Sequence, residues 1–211
     1  MTNPDWATIA SLATAGGTLV LAVSTFASVR SANRAARAAE QSLLVGLRPL
    51  LVPSRLQDAD QKILFVDRKW LVAPGGGGVA QAEGDVVYLA LSLRNAGSGI
   101  AVVHGWRFAA SRLLSNEDLH WASFRPQNRD LYIPPGDVGF WQGAFRDPAD
   151  PQYDDAMEVV QKRQDLTIEL CYGDHQGGQR AETRFTLLPR DNGQWLASAS
   201  RHHNVDQPDP R

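Results

Sequence analysis

Cysteine and histidine are the side chains best suited to nucleophilic and acid–base chemistry near neutral pH, and this chain has one cysteine and five histidines. The nearest approach to a catalytic arrangement is Cys171 followed by Asp174 and His175. A reactive thiolate needs positive charge or a base beside it, and no basic cluster surrounds Cys171. The Asp-His pair lies in the segment 173–178, which is rich in turn-forming residues. We therefore predict that Cys171 is a small buried hydrophobe and that the protein is not an enzyme.

The other histidines form no pattern typical of a metal site. They are His104, His120, His202 and His203. Neither a C-x-x-C nor an H-E-x-x-H motif brings ligands together. His104 falls on the apolar face of a predicted strand, which favours a hydrogen-bonded core histidine over a ligand. The glycines at 75–78 lack a following Gly-Lys-Ser/Thr, so nothing supports a nucleotide site. We expect no metal and no cofactor.

The charge distribution argues against nucleic acid as a partner. The formal net charge is −2, and both signs are interleaved through most of the chain. Nucleic-acid-binding domains carry a basic patch or stripe. The one basic concentration is Arg30, Arg34 and Arg37, which follow directly on an apolar segment.

That apolar segment, residues 7–29, contains no charged side chain. As a helix it would measure roughly 35 Å, enough to cross a hydrocarbon core of about 30 Å. The alternative is a buried helix of a soluble protein, although such helices rarely run this long without a charge. A cleaved signal peptide would need a basic start, whereas residues 1–6 contain Asp5 and no basic side chain. We predict a transmembrane helix at 7–29 after a short flank at 1–6.

The three arginines predict the orientation of this span. Lys and Arg accumulate on the cytoplasmic side of membrane helices, so the carboxyl-terminal part is expected in the cytoplasm. Arg30, Arg34 and Arg37 recur at i, i+4 and i+7, on one face of a helix that continues as a stalk over 30–47 and stops before Pro49. We expect them to contact anionic lipid head groups. The alternative is a solvated face that only sets topology.

Small residues within the span permit self-association. Ala13 and Gly17 form a small-xxx-small pair, as do Ala10 and Thr14, and such pairs let two helix backbones approach closely. A homo-oligomer through the span and stalk is therefore one prediction, and chance occurrence in an Ala/Gly-rich segment is its alternative.

From residue 48 to 197 the pattern changes from helix to strand. Alternating apolar residues predict a strand from Val87 to Leu93 and a second from Ile100 to Phe108. Further predicted strands lie at 48–52, 63–66, 70–72, 138–145, 166–172 and 181–188. The predicted fold is mainly β, an antiparallel sandwich, with Pro74 and the glycines at 75–78 as a flexible loop and the tail 198–211 disordered.

Two short helical elements are predicted between the strands. Ser115–Asp118 has the spacing of an N-terminal cap. A second helix is expected over 151–162, with Pro151 at its first position. Neither suits the crossovers of a parallel sheet.

The chain resembles a group of bacterial single-pass membrane proteins of unassigned activity that carry an immunoglobulin-like domain. The resemblance rests on the single span, the Ala/Arg-rich stalk and four motifs. These are RPLLV at 48–52, LRNAGSGIA at 93–101, IPPG at 133–136 and YGDHQG at 172–177. It implies an immunoglobulin-like β-sandwich and assigns no activity. The chain departs from that pattern at Ile100 and Gln176.

Two functional hypotheses follow, and an enzyme is a weaker third, which a cleft joining His104, His175 or Cys171 to an acidic partner would support. The first is a membrane-anchored, non-enzymatic interaction or scaffolding module, whose cytoplasmic sandwich binds a protein partner. The alternative is an outward-facing envelope or carbohydrate-binding module, in which exposed tryptophans contact sugars. The candidates for that contact are Trp70, Trp106, Trp121, Trp141 and Trp195. Trp6 is expected at the membrane interface.

Overall fold

A computed structural model describes residues 5–111 and 123–206. The chain divides into two compact units, Met1–Val45 and Gly46–Arg211. The first is helical and the second is built from antiparallel strands. The chain thus consists of one long amino-terminal helix followed in sequence by a mainly β unit, which confirms the predicted fold class.

Helix α1 runs without interruption from Trp6 to Gly46, because no proline or charged pair breaks it before Pro49. Its stretch Trp6–Glu40 is long and apolar enough to cross a membrane. Several hydroxyls within it bond to the helix's own backbone: Thr14 donates to the Ala10 carbonyl at 2.9 Å and Ser24 to the Val20 carbonyl at 2.8 Å. Because these hydroxyls are hydrogen-bonded, placing them in an apolar environment costs little free energy.

The second unit contains eleven strands and one helix within its described residues. The strands are β1 Leu51–Pro53, β2 Gln61–Leu64, β3 Trp70–Ala73, β4 Gly77–Glu83, β5 Val86–Asn95, β6 Ala101–Ala109, β7 Arg125–Ile133, β8 Val138–Phe145, β9 Leu166–Gly173, β10 Arg180–Pro189 and β11 Trp195–Asn204, and helix α2 is Tyr153–Gln161.

Nine strands form one sheet, in the order β1-β5-β4-β11-β10-β9-β6-β7, with β8 also paired to β5. One face of this sheet encloses the main core, centred on Trp141, Phe145, Tyr172 and Phe185. Helix α2 adds its apolar face, in which Tyr153, Ala156, Val159 and Val160 are buried, to the same core.

The remaining strands, β2 and β3, form a separate hairpin with its own small core. Ile63, Phe65 and Leu71 of the hairpin pack with Tyr88 and Ala90 of β5. Because β5 is covered on both faces, its alternate residues are buried as well, and the strand is apolar almost throughout. The hairpin therefore forms a second layer over β5.

The structure corrects the predicted flexible loop at 74–78. Gly77 and Gly78 begin β4, which pairs with both β5 and β11. A Cβ on Gly78 would lie 2.4 Å from the Ala90 carbonyl oxygen. Glycine is present because strands approach closely here, and loop mobility does not explain it.

The structure also extends the domain past the predicted end at 197. Strand β11 continues to Asn204 and pairs with β10 as far as Ala181. Its sequence is polar after Ala199, so neither propensity nor alternation indicates a strand. Pairing with a long neighbouring strand holds it in the sheet. Residues 207–211 of the predicted tail and the predicted cap at 115–118 lie outside the described residues.

His104 does not lie on the apolar face of β6. The register shifts between Val103 and Gly105, so Val103 and Trp106 face the core while His104 is exposed. A bulge thus overturns the prediction that strict alternation places His104 in the core.

Candidate binding groove between β7 and β8

A groove of about 510 Å³ separates the outer edges of β7 and β8 and extends to the tip of the β2–β3 hairpin. Its described lining residues are Leu64, Phe65, Val66, Arg68, Trp106, Pro126, Gln127, Asn128, Arg129, Gln142, Gly143, Ala144 and Arg146. This set combines an apolar floor with three arginines and contains no carboxylate.

The groove exists because the nine-stranded sheet curves back on itself but its β7 and β8 edges do not pair. β7 pairs with β6 and β8 pairs with β5, and no strand pairing joins β7 to β8. The side chain of Gln127 makes the connection instead. Its Nε2 donates to the Gln142 carbonyl at 3.2 Å, and its Oε1 accepts from Trp141 Nε1 at 3.1 Å. A single amide group thus bridges two strand edges.

A wide bulge in β7 supplies this amide. Residues 131–133 pair with 101–103 of β6, and the next pairs are Gly105 with Pro126 and Trp106 with Arg125. Four residues of β7, 127–130, therefore lie opposite His104 alone. The bulge turns Gln127, Asn128 and Arg129 towards the groove, as bulges beside binding sites often redirect side chains.

The floor of the groove is aromatic. Trp106 packs edge-on against Trp141 with ring centroids 5.3 Å apart, and it is 6% exposed. Gly143 lies over these rings: a Cβ there would sit 2.6 Å from Trp141 and 3.2 Å from Trp106. Glycine at this position lets the indole of Trp106 reach the groove.

Arg125 fixes the start of β7 beneath the floor. Its guanidinium lies over the rings of Trp106 and Phe145, at 5.4 and 4.8 Å from their centroids. It also forms an ion pair with Asp150, including a 2.6 Å hydrogen bond from Nη2 to Oδ1. This hydrogen bond lowers the pKa of Asp150 from its usual value despite partial burial. The positive charge of Arg125 is thus neutralised by Asp150, and the role of Arg125 is structural.

The hairpin tip forms the lip of the groove. Tyr88 donates to Asp67 at 2.6 Å, and Arg146 pairs with the same carboxylate at 3.5 Å. The hydrogen bond to Asp67, with burial, raises the pKa of Tyr88 to about 12. The tip also exposes apolar side chains: Val66 is 85% and Leu64 37% exposed. Asp67 holds these residues at the edge of the groove.

Three guanidinium groups line the groove, and their charge is mostly uncompensated. Arg146 shares Asp67 with Tyr88. Arg68 and Arg129 are exposed and form no ion pair with any residue in 5–111 or 123–206. The groove is therefore suited to an anionic group.

One polar atom at the groove lacks a partner. Oε1 of Gln142 is buried and accepts no hydrogen bond from the described residues. A buried unsatisfied acceptor costs about 1–3 kcal/mol. A ligand that brings a donor to this oxygen would recover part of that cost.

The predicted lipid-contact residues Arg30, Arg34 and Arg37 all lie on α1, exposed and one or two turns apart. They form no ion pair with other described residues. Their contact with lipid stays a prediction. They belong to the first unit, whereas the groove belongs to the second.

The residues considered for catalysis are not arranged for it. Cys171 is 1% exposed, and burial raises the pKa of its thiol, which disfavours the reactive thiolate. Asp174 Oδ1 accepts from the backbone N–H groups of Gln176 and Gly178, at 2.8 and 3.0 Å, and so holds the turn. His175 is exposed in that turn. Within the described residues no cluster of three potential metal ligands is found.

The tryptophans are mainly structural. Trp106, Trp141 and Trp195 are buried, while Trp70 is 61% exposed on the hairpin. Trp121 lies outside the described residues. Trp6, at the start of α1, is 76% exposed.

Comparison of this chain with protein-family models, with curated proteins and with solved structures finds no match. The groove therefore has to be interpreted from its own chemistry.

The sequence predicts β8, the apolar segment 63–66 and the strand that carries Trp106, but it predicts neither β7 nor the pairing of β2 with β3. The polar run 127–130 has no strand periodicity, and Arg68 and Arg129 are 61 positions apart in sequence. One signal was available: Gly143 between two aromatic residues, Trp141 and Phe145, within a predicted strand suggests a close approach at that position.

Proposed function

We propose that this protein is a single-pass, membrane-anchored, non-enzymatic module that faces the cytoplasm and binds a protein partner in the groove between β7 and β8. The observation that supports this most directly is the groove itself: an aromatic floor, three arginines and no carboxylate among its described lining residues. Clefts that combine apolar area with a few convergent polar groups are typical binding sites.

The anchor supports the membrane part of the proposal. α1 includes one stretch long and apolar enough to span a bilayer. Arg30, Arg34 and Arg37 follow it closely, and the excess of basic residues on the cytoplasmic side of spans supports a cytoplasmic second unit. The same arginines would bind anionic head groups with about 1 kcal/mol each near the surface.

A photo-crosslinking experiment in cells tests the proposal. A photoreactive amino acid replaces Ala144, inside the groove, in the full chain, and replaces Gln57, an exposed residue outside the described groove lining, in the control. We expect a discrete protein adduct from position 144 that the control does not give. A compartment-specific reporter after Arg211 should be active in the cytoplasm. An external signal, or equal adducts at both positions, would contradict the proposal.

The exposure of Trp70 supports one alternative function. Its exposed indole lies on the outer face of the hairpin, and such rings can stack on sugars. An outward-facing carbohydrate-binding module requires the opposite topology, so an external reporter signal, together with binding of polysaccharide that Trp70→Ala abolishes, would support this alternative instead.

A further inference from the structure

The groove offers an unpaired strand edge as well as an anion-binding rim. The Gln142 carbonyl points away from β5, because it accepts from the Gln127 side chain. Backbone groups of alternate residues point to the same side of an antiparallel strand. Phe140 and Ala144 therefore also present their N–H and C=O groups at the outer edge of β8, and no described backbone group bonds to them there.

The chemistry of the surrounding side chains narrows the ligand class. The orphaned Gln142 Oε1 needs an N–H donor. Arg68, Arg129 and Arg146 need an anion. The floor around Trp106 and the exposed Leu64 and Val66 need apolar contact. A lipid or a small organic anion satisfies the charge and apolar requirements, but it cannot pair with the row of N–H and C=O groups on the outer edge of β8.

Building on the proposed function, we infer that the partner binds as an extended polypeptide segment that adds a strand to the edge of β8 and places acidic side chains against Arg68, Arg129 and Arg146. Main-chain hydrogen bonds supply affinity in this mode, and alternate side chains supply specificity. Side chains two residues apart point to the same face of a strand. A segment that alternates apolar and acidic residues thus presents one kind to the floor and the other to the arginines.

Gln127 competes with the added strand in this arrangement. Its amide occupies the Gln142 carbonyl that an added strand would use. Binding therefore displaces the Gln127 side chain, and removal of that side chain should strengthen binding.

The test uses the full chain in phosphatidylcholine nanodiscs and a fluorescent heptapeptide, acetyl-Val-Glu-Val-Glu-Val-Glu-Val-amide, with binding measured by anisotropy. Two peptide controls separate charge from backbone pairing. In the first, Gln replaces every Glu. In the second, alternate residues are N-methylated. Two such peptides are made, one methylated at the odd positions (the first phase) and one at the even positions (the second phase).

We expect the Gln peptide to bind at least about tenfold more weakly, since each close ion pair contributes on that order. One N-methylated phase should lose binding and the other retain it, because only alternate N–H groups of an added strand face β8. Equal binding of the Glu and Gln peptides, or of both N-methylated phases and the parent, would overturn the inference.

Protein variants locate the site. Arg129→Gln should weaken binding about fivefold to tenfold, whereas Arg190→Gln, at an exposed position outside the groove, should not change it. Gln127→Ala should tighten binding by a factor of about 2 to 5. Competition by anionic lipid vesicles that removes the peptide completely would favour a lipid ligand and overturn strand addition.

The outcomes separate this inference from the proposed function. If cells give groove-specific protein adducts but the peptide does not bind, the proposed binding of a protein partner is supported and the strand-addition mechanism is rejected. If cells give no groove-specific adduct, the proposed function fails whether or not the peptide binds.

Discussion

Two seams of the β domain show how differently one sheet can join distant parts of its chain. At the first, around Tyr172, strands β1, β9, β10 and β11 are linked by buried and partly buried hydrogen bonds. At the second, β7 and β8 face each other across the groove, and among the described residues the Gln127 amide bridges them. We call these the sealed seam and the open seam.

The sealed seam is centred on one hydroxyl. Tyr172 Oη accepts from the backbone N–H of Leu51 at 3.0 Å and lies 2.8 Å from Thr183 Oγ1. His202 Nδ1 lies 3.0 Å from the same threonine hydroxyl, and Arg48 Nη2 lies 3.4 Å from His202 Nε2. Residues 11 to 154 positions apart thereby hold the first strand against the last.

The contrast indicates where the domain is rigid and where it is available to bind a partner. A hydrogen-bond network that links several strands in a largely buried setting favours one arrangement. A seam with free strand edges, an orphaned acceptor and unpaired arginines is a feature that folding alone does not require, which supports a binding role for it.

The largest effect is expected from breaking the sealed seam. Tyr172→Phe keeps the ring but leaves the Leu51 N–H buried without an acceptor, which should lower the free energy of unfolding by about 1–3 kcal/mol. Chemical denaturation of the full chain in nanodiscs measures this. Tyr132→Phe, at a residue 58% exposed, is the matched control and should change it by less than about 0.5 kcal/mol. Equal effects would show that the hydroxyl network is not important.

An intermediate effect is expected at the foundation of the open seam. The Arg125 hydrogen bond lowers the folded-state pKa of Asp150 below its usual 3.8, so the stabilisation is present above that value and is lost as pH falls through the folded pKa. Asp150→Asn should therefore cost about 1 kcal/mol at pH 7, because both side chains are partly exposed.

The pH dependence supplies the check on Asp150. The difference in unfolding free energy between wild type and Asp150→Asn should shrink towards zero as pH falls below 3.8. Asp147→Asn is the control, because no ion pair to Asp147 is formed by the described residues. A difference that stays constant with pH would contradict the ion-pair explanation.

The smallest effect on stability is expected within the open seam itself. Gln127→Ala removes the only described bridge between β7 and β8, yet both strands keep their pairing with β6 and β5. We expect a loss of about 0.5 kcal/mol, at the lower end for a hydrogen bond, with faster hydrogen exchange confined to the edges of β7 and β8. Asn128→Ala serves as the neighbouring control. Exchange that accelerates throughout the sheet would contradict an independent, open seam.

The strands that sequence reasoning identified are those with strong local signals. β5 alternates Val87, Leu89, Leu91 and Leu93, and the structure buries all four. β9 and β10 flank a turn segment rich in Gly and Asp, and they pair as a hairpin. In each case the information lies within about ten consecutive residues, which is the range that periodicity can report.

The strands it missed depend on distant neighbours. β4 begins with two glycines, β7 contains a four-residue bulge, and β11 ends in a polar run. Each is held by backbone pairing to a longer strand, and pairing is not visible in side-chain type. For the same reason alternation assigned His104 to the wrong face.

By itself the sequence determined the long apolar helix, the antiparallel β class, the turn role of Asp174 and the burial of Cys171, because each follows from local composition or spacing. Only the tertiary structure decided that Arg68, Arg129 and Arg146 line one groove over Trp106, and that Gln127 bridges the two edges of the groove within the part of the chain that the structure describes. Those residues come from separate strands and loops, and the folding of the sheet onto itself, rather than any local pattern, brings them together.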